Sequence, residues 1–86
     1  MKHRIVELGN ENIIGAKIVI IRKKRGIKQK QFLAALHLQG LDMSPTMLSR
    51  LEGQHRMVRD YEISPIAKVL KMTTDQLLDV DYMPPE

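Results

Sequence analysis

Thr46, Ser49 and Arg50 fall at i, i+3 and i+4 of one short segment, a spacing that gathers them on a single face if the segment is helical. Their chemistry is that of recognition: a planar guanidinium with a fork of donors, hydroxyls that both donate and accept, and a methyl group. Leu48 and Leu51 of the same segment take the opposite face. Upstream, Lys28 and Gln29 stand where another helix should begin, so an ammonium and an amide donor coincide with the positive end of a helix dipole. Downstream, Gln54, His55 and Arg56 follow Gly53 and add polar groups suited to backbone contacts.

Bond-breaking chemistry has no comparable set of residues. The absence of cysteine removes disulfides, Cys-based zinc sites, iron-sulfur clusters and a thiol nucleophile. His3, His37 and His55 lack metal-ligand spacing, and no G-x-S-x-G elbow, Walker loop or G-x-G-x-x-G occurs. The chain is therefore expected not to be an enzyme and to need no cofactor. Its 86 residues suffice for one small domain. Apolar runs such as Ile18 to Ile21 are too short to cross a bilayer, and the first residues lack a signal-peptide core, so a soluble, cytoplasmic protein without membrane partners is expected.

Charge narrows the partner. The net charge of +4 is unevenly placed: residues 1–30 hold nine Lys and Arg against two acids, whereas residues 60–86 hold two against six. A basic half on a small chain is the footprint expected of a protein that meets phosphate, more often on nucleic acid than on a membrane. With only Phe32, Tyr61 and Tyr82 as aromatics, the composition argues against a single-strand stacking platform or an RNA-recognition sheet.

The elements that must position these residues read as helices throughout. Ile14, Ile18 and Ile21 form an apolar stripe, with Asn10 or Asn12 as N-cap and Gly26 as stop, giving a first helix over about 13–25. Phe32, Leu33 and Leu36 face one way in a second helix over about 29–39, closed by Gly40. Ser44-Pro45 places a capping hydroxyl before a proline at the first helical position, opening a third helix over about 45–52 that Gly53 ends. Ile63, Ile66, Ala67 and Leu70 mark a fourth, which begins near Asp60 and kinks at Pro65 or begins anew at Ser64-Pro65. Thr73 with Gln76 is a capping box before Leu77 and Leu78, a short fifth helix. Residues 1–11 read as a flexible arm, 12–80 as the domain and 81–86 as a C-terminal tail, of which Met83-Pro84-Pro85-Glu86 is expected to be extended or disordered.

This order, with the run Leu48-Ser49-Arg50-Leu51-Glu52-Gly53, the segment Ile14-Gly15-x2-Ile18-x2-Ile21-Arg22-x2-Arg25-Gly26-Ile27 before it and Ile66-Ala67-x2-Leu70-x2-Thr73-x3-Leu77-Leu78 after it, resembles the Cro/repressor class of helix-turn-helix proteins. The resemblance covers residues 12–79 and implies an all-α, five-helix, lambda repressor-like domain. Two features depart from the family pattern. The connection from Leu38 to Met43 adds about three residues to the usual turn, and Pro45 stands where many members carry a polar base reader.

By resemblance, the third helix enters the major groove and the start of the second sits on phosphate. The candidate DNA-binding residues are then Lys28, Gln29, Ser44, Thr46, Met47, Ser49, Arg50, Gln54, His55 and Arg56. Arg50 would fork to guanine and the Thr46 methyl would touch thymine. Met47 either borders the groove or packs half-buried beside Leu51. Arg22 and Glu52 resemble the family's partly buried ion pair and are assigned a structural role. The implied function is a sequence-specific transcriptional regulator, a repressor acting by occupancy, of the kind phages and bacteria use. A homodimer on a near-palindromic operator is expected, paired through Leu77, Leu78, Val80, Tyr82 and Met83. The alternative is an antitoxin-like module that binds a protein partner through its acidic C-terminal end.

Overall fold

Ile14, Ile18 and Ile21 are fully buried in the computed structural model, which describes residues 11–85, and the first helix forms around them. Five helices follow one another: α1 (Gly15–Lys24), α2 (Gln29–Leu38), α3 (Pro45–Glu52), α4 (Asp60–Val69) and α5 (Thr74–Leu78). The described residues are all-α, with no strand among them. The core is a single cluster to which every helix contributes, with Phe32, Leu36, Leu48, Leu51, Ile66, Leu70 and Leu77 meeting the isoleucines of α1. α3 packs against α1 and α2, and α4 against α2 and α5. No helix among the described residues is long and apolar enough to cross a membrane.

The helix starts follow from side-chain chemistry. Asn12 Oδ1 accepts from the backbone N–H of Ile14 and Gly15, at 3.2 and 2.8 Å, and so caps α1; Asn10, the other candidate, lies outside the described residues. Ser44 Oγ accepts from Met47 N–H at 3.1 Å, with Pro45 at the first helical position of α3. Thr73 and Gln76 exchange reciprocal bonds of 3.0 Å before α5. α4 begins at Asp60, where Glu62 Oε1 accepts the Arg59 N–H at 2.8 Å, and it continues through Pro65. Ser64-Pro65 is therefore interior to the helix and starts nothing. The N–H that Pro65 lacks would have served the carbonyl of Tyr61, on the exposed side of the helix.

Four helices end on the same closure, a left-handed residue followed by an N–H that reaches back to the last turn. Gly26, with φ of +68°, and Gly40, with φ of +85°, supply that conformation after α1 and α2. After α3 it is Gln54, at φ of +61°, that turns left-handed, and His55 N–H bonds the Arg50 carbonyl at 2.8 Å. Gly53 keeps ordinary helical angles, so the expected glycine stop falls one residue late and on a residue with a side chain. After α4 the same position is taken by Lys71, at φ of +58°.

The C-terminal residues belong to the folded body. Lys17, on the apolar side of α1, is buried, and its Nζ donates to the carbonyls of Gln76 at 2.9 Å and Leu77 at 3.4 Å and also to that of Asp79. The Tyr82 ring lies 5.6 Å from the same ammonium, a cation–π contact, and Met83 packs on the core. Residues 82–85 carry no regular secondary structure, and within them Tyr82 and Met83 are held against the folded body. The surface expected to pair two copies changes with it: Leu77 is 1% exposed and belongs to the core, and of the five residues named for that role only Leu78 is exposed.

Candidate functional site

α3 divides into two faces with opposite fates. Leu48 and Leu51 are fully buried and Glu52 nearly so, while Pro45, Thr46, Ser49 and Arg50 are exposed. Ser44 is exposed as well, its oxygen engaged as the cap of Met47 N–H. Met47 is half-buried and packs against the core. The guanidinium of Arg50 has no hydrogen-bond or ion-pair partner among the described residues, while its backbone carbonyl accepts from His55 N–H.

The other cations near this face behave differently. Arg22 Nε donates to Glu52 Oε2 at 2.9 Å, Nη2 to Oε1 at 3.1 Å, and Nη1 to the Ile27 carbonyl at 2.9 Å. Arg25 Nη1 donates to the Leu70 carbonyl at 2.7 Å, capping α4 from the end of α1. Lys17 does the same for α5. Two of the basic residues that make the N-terminal third look like a phosphate footprint, Lys17 and Arg25, are therefore engaged at carbonyl-bearing ends of other helices, where cations favour the dipole, and a third, Arg22, is paired with Glu52. Among the described residues of that third, the charge left facing outward comes from Lys23, Lys24, Lys28 and Lys30, all exposed around the turn between α1 and α2.

α2 begins beside the α3 face. Lys28 is its N-cap residue, with its backbone N–H held by Gln31 Oε1 at 2.8 Å and its side chain exposed. Beyond it the first backbone N–H groups of α2 have no intrahelical acceptor. Gln29, expected to offer its amide to a phosphate, turns it inward: Nε2 donates to Glu52 Oε1 at 2.8 Å, with Ser49 Oγ at 3.5 Å. A carboxylate acceptor outcompetes water for that donor, so Gln29 ties the start of α2 to the end of α3.

The residues after α3 divide as well. His55 is exposed. Gln54 Nε2 donates to the Asn12 carbonyl at 3.0 Å, and Arg56 forks onto Glu62, with two contacts of 3.2 Å, where the carboxylate is 1% exposed. Both Gln54 and Arg56 are half-buried and engaged within the fold. The exposed set assembled on one side is thus Thr46, Ser49 and Arg50 on α3, with Lys28 at the start of α2, whose neighbour Gln29 reaches Ser49 and so fixes the two elements together.

Sequence reasoning missed Lys17, Asn12 as more than a cap, and Glu62. Lys17 sits three residues after Ile14 and four before Ile21, within the apolar stripe, and that position was the available signal that it is buried. Burial draws its ammonium below the ordinary lysine value, and the carboxylates of Asp79 and Asp81 oppose that shift. No protein-family model, curated protein or solved structure matches the chain.

Proposed function

We propose that α2 and α3 form a helix-turn-helix that binds double-stranded DNA, and that the protein is a sequence-specific transcriptional regulator acting by occupancy. The observation that carries this reading is the guanidinium of Arg50, without a partner among the described residues, on an exposed helix face beside Thr46 and Ser49. A fork of donors aimed at solvent from a rigid helix suits the paired acceptors of guanine in the major groove, and the neighbouring hydroxyls and methyl suit other base edges. Four exposed lysines around the start of α2, with the open N–H groups of that helix, suit phosphate. Arg22 and Glu52 act in this reading through the packing of α3 and make no contact with DNA.

One α3 reads only a few base pairs, too few for the ~10³-fold preference over non-specific DNA that a regulator requires. Two copies on a near-palindromic site, with their Arg50-bearing helices ~34 Å apart, supply it.

The test is the salt dependence of binding to a mixed-sequence duplex, followed by anisotropy. The logarithm of the binding constant should fall linearly with the logarithm of salt, by about 0.9 for each phosphate contacted. Binding that ignores salt contradicts the proposal.

A further inference from the structure

Asn12 is 9% exposed and uses the full hydrogen-bonding capacity of its side chain. Its oxygen caps α1, and its Nδ2 donates to two carbonyls from elsewhere in the chain, Leu51 at 3.0 Å and Arg56 at 2.9 Å. The bond is returned by Gln54, whose amide donates to the backbone carbonyl of Asn12 at 3.0 Å. Gln54 does this from the left-handed conformation, which disfavours a side-chain-bearing residue. The approach beneath the junction is as close as backbone allows: a Cβ built on Gly15 would lie 2.1 Å from the Leu51 carbonyl oxygen. The first turn of α1 and the last turn of α3 are therefore locked at one separation and one rotation.

We propose that Asn12 and Gln54 are positioning residues of the candidate DNA-binding face, holding α3 at the angle from which Thr46, Ser49 and Arg50 can meet base edges. The inference rests on the DNA-binding reading. Its physical basis is leverage. α3 is eight residues long, and Thr46 in its first turn lies about 7.5 Å along the axis from Leu51. A tilt of about 10° at the junction would move Thr46 by about 1.3 Å, and base readout tolerates only about 0.5 Å. Phosphate contacts by mobile lysines tolerate far more.

Two variants separate positioning from stability. Gln54→Gly removes the bond to Asn12 while suiting the left-handed backbone, so thermal stability should change little. Asn12→Asp keeps the cap of α1 and loses both donors to Leu51 and Arg56. Dissociation constants are measured for each against a duplex recovered by selection with the wild type and against its scrambled version, with melting temperatures alongside. The expected result is a fall of about tenfold in the selected-to-scrambled preference, with affinity for the scrambled duplex much less affected. A folded Gln54→Gly protein that keeps the wild-type preference overturns the inference, whatever its melting temperature. Should Asn12→Asp fail to fold, Gln54→Gly decides alone. A wild type that recovers no preferred duplex overturns the DNA reading itself, and the inference falls with it.

Discussion

Arg22 and Glu52 meet through two parallel contacts, Nε to Oε2 at 2.9 Å and Nη2 to Oε1 at 3.1 Å, with both residues 8% exposed. The pair joins the last turn of α1 to the last turn of α3. Glu52 also receives the Gln29 amide, so one carboxylate ties three helices together at the base of the candidate interface. Removing either partner strands a charge that little water can reach. Arg22→Ala and Glu52→Ala are each expected to cost about 3 kcal/mol, read from denaturant midpoints. If both variants melt like wild type while Arg22→Ala alone loses DNA, Arg22 belongs to the binding surface.

Gly15 gives a prediction of opposite sign to helix propensity. Within a helix, Gly→Ala ordinarily stabilises by about 1 kcal/mol. Here the added methyl would meet the backbone oxygen of Leu51 at 2.1 Å, with Asn12 Oδ1 at 3.0 Å, and neither is the free end of a flexible chain. Gly15→Ala should therefore destabilise, by about 2 kcal/mol, as α1 and α3 are forced apart. A raised melting temperature would show that the junction gives way freely.

Much of this architecture is legible in the amino-acid sequence, because helix-forming physics is local. The stripe Ile14, Ile18, Ile21, the Ser44-Pro45 start and the Thr73–Gln76 box each act within a turn or two, and each stands where its spacing places it. Contacts that need the third dimension are not legible. Lys17 finds carbonyls about sixty positions away, and Arg56 finds Glu62 across a loop rather than along a helix face. The left-handed turn on Gln54 is hidden for a different reason. The glycine beside it advertises the same conformation, whereas the left-handed residue is Gln54, whose amide bonds the Asn12 carbonyl. In the basic N-terminal third, Lys17 and Arg25 count as charge in the sequence and act as caps in the fold, and Arg22 pairs with Glu52.

Lys17 makes stability depend on pH in a defined direction. Its burial lowers the folded-state value below 10.5, so the unfolded chain holds the proton more tightly between the two values. Below that window the proton is bound in both states and the cost of burying the charge is fully present; as pH rises through the window toward 10.5 that cost is relieved. The wild type should therefore gain stability relative to Lys17→Met as pH rises toward 10.5, read from paired denaturation curves. A difference that shrinks over that range contradicts the assignment.

Leu77 and Leu78 adjoin in sequence and differ in burial, at 1% and 42% exposed. Leu77→Ala should cost about 3 kcal/mol through loss of packing under α5, while Leu78→Ala should stay within about 1 kcal/mol. Equal effects of the two would mean that the end of the chain does not close the core in this way.

The central claim is that the exposed face of α3 reads base sequence, and the most direct measurement is selection from randomised duplexes with wild type and Arg50→Ala side by side. The wild type should enrich a near-palindromic sequence. Arg50→Ala, melting unchanged, should lose preference at one position of each half-site by about 1 to 3 kcal/mol and keep it elsewhere. Identical sequence preferences from the two proteins, or no enrichment by the wild type, would contradict it.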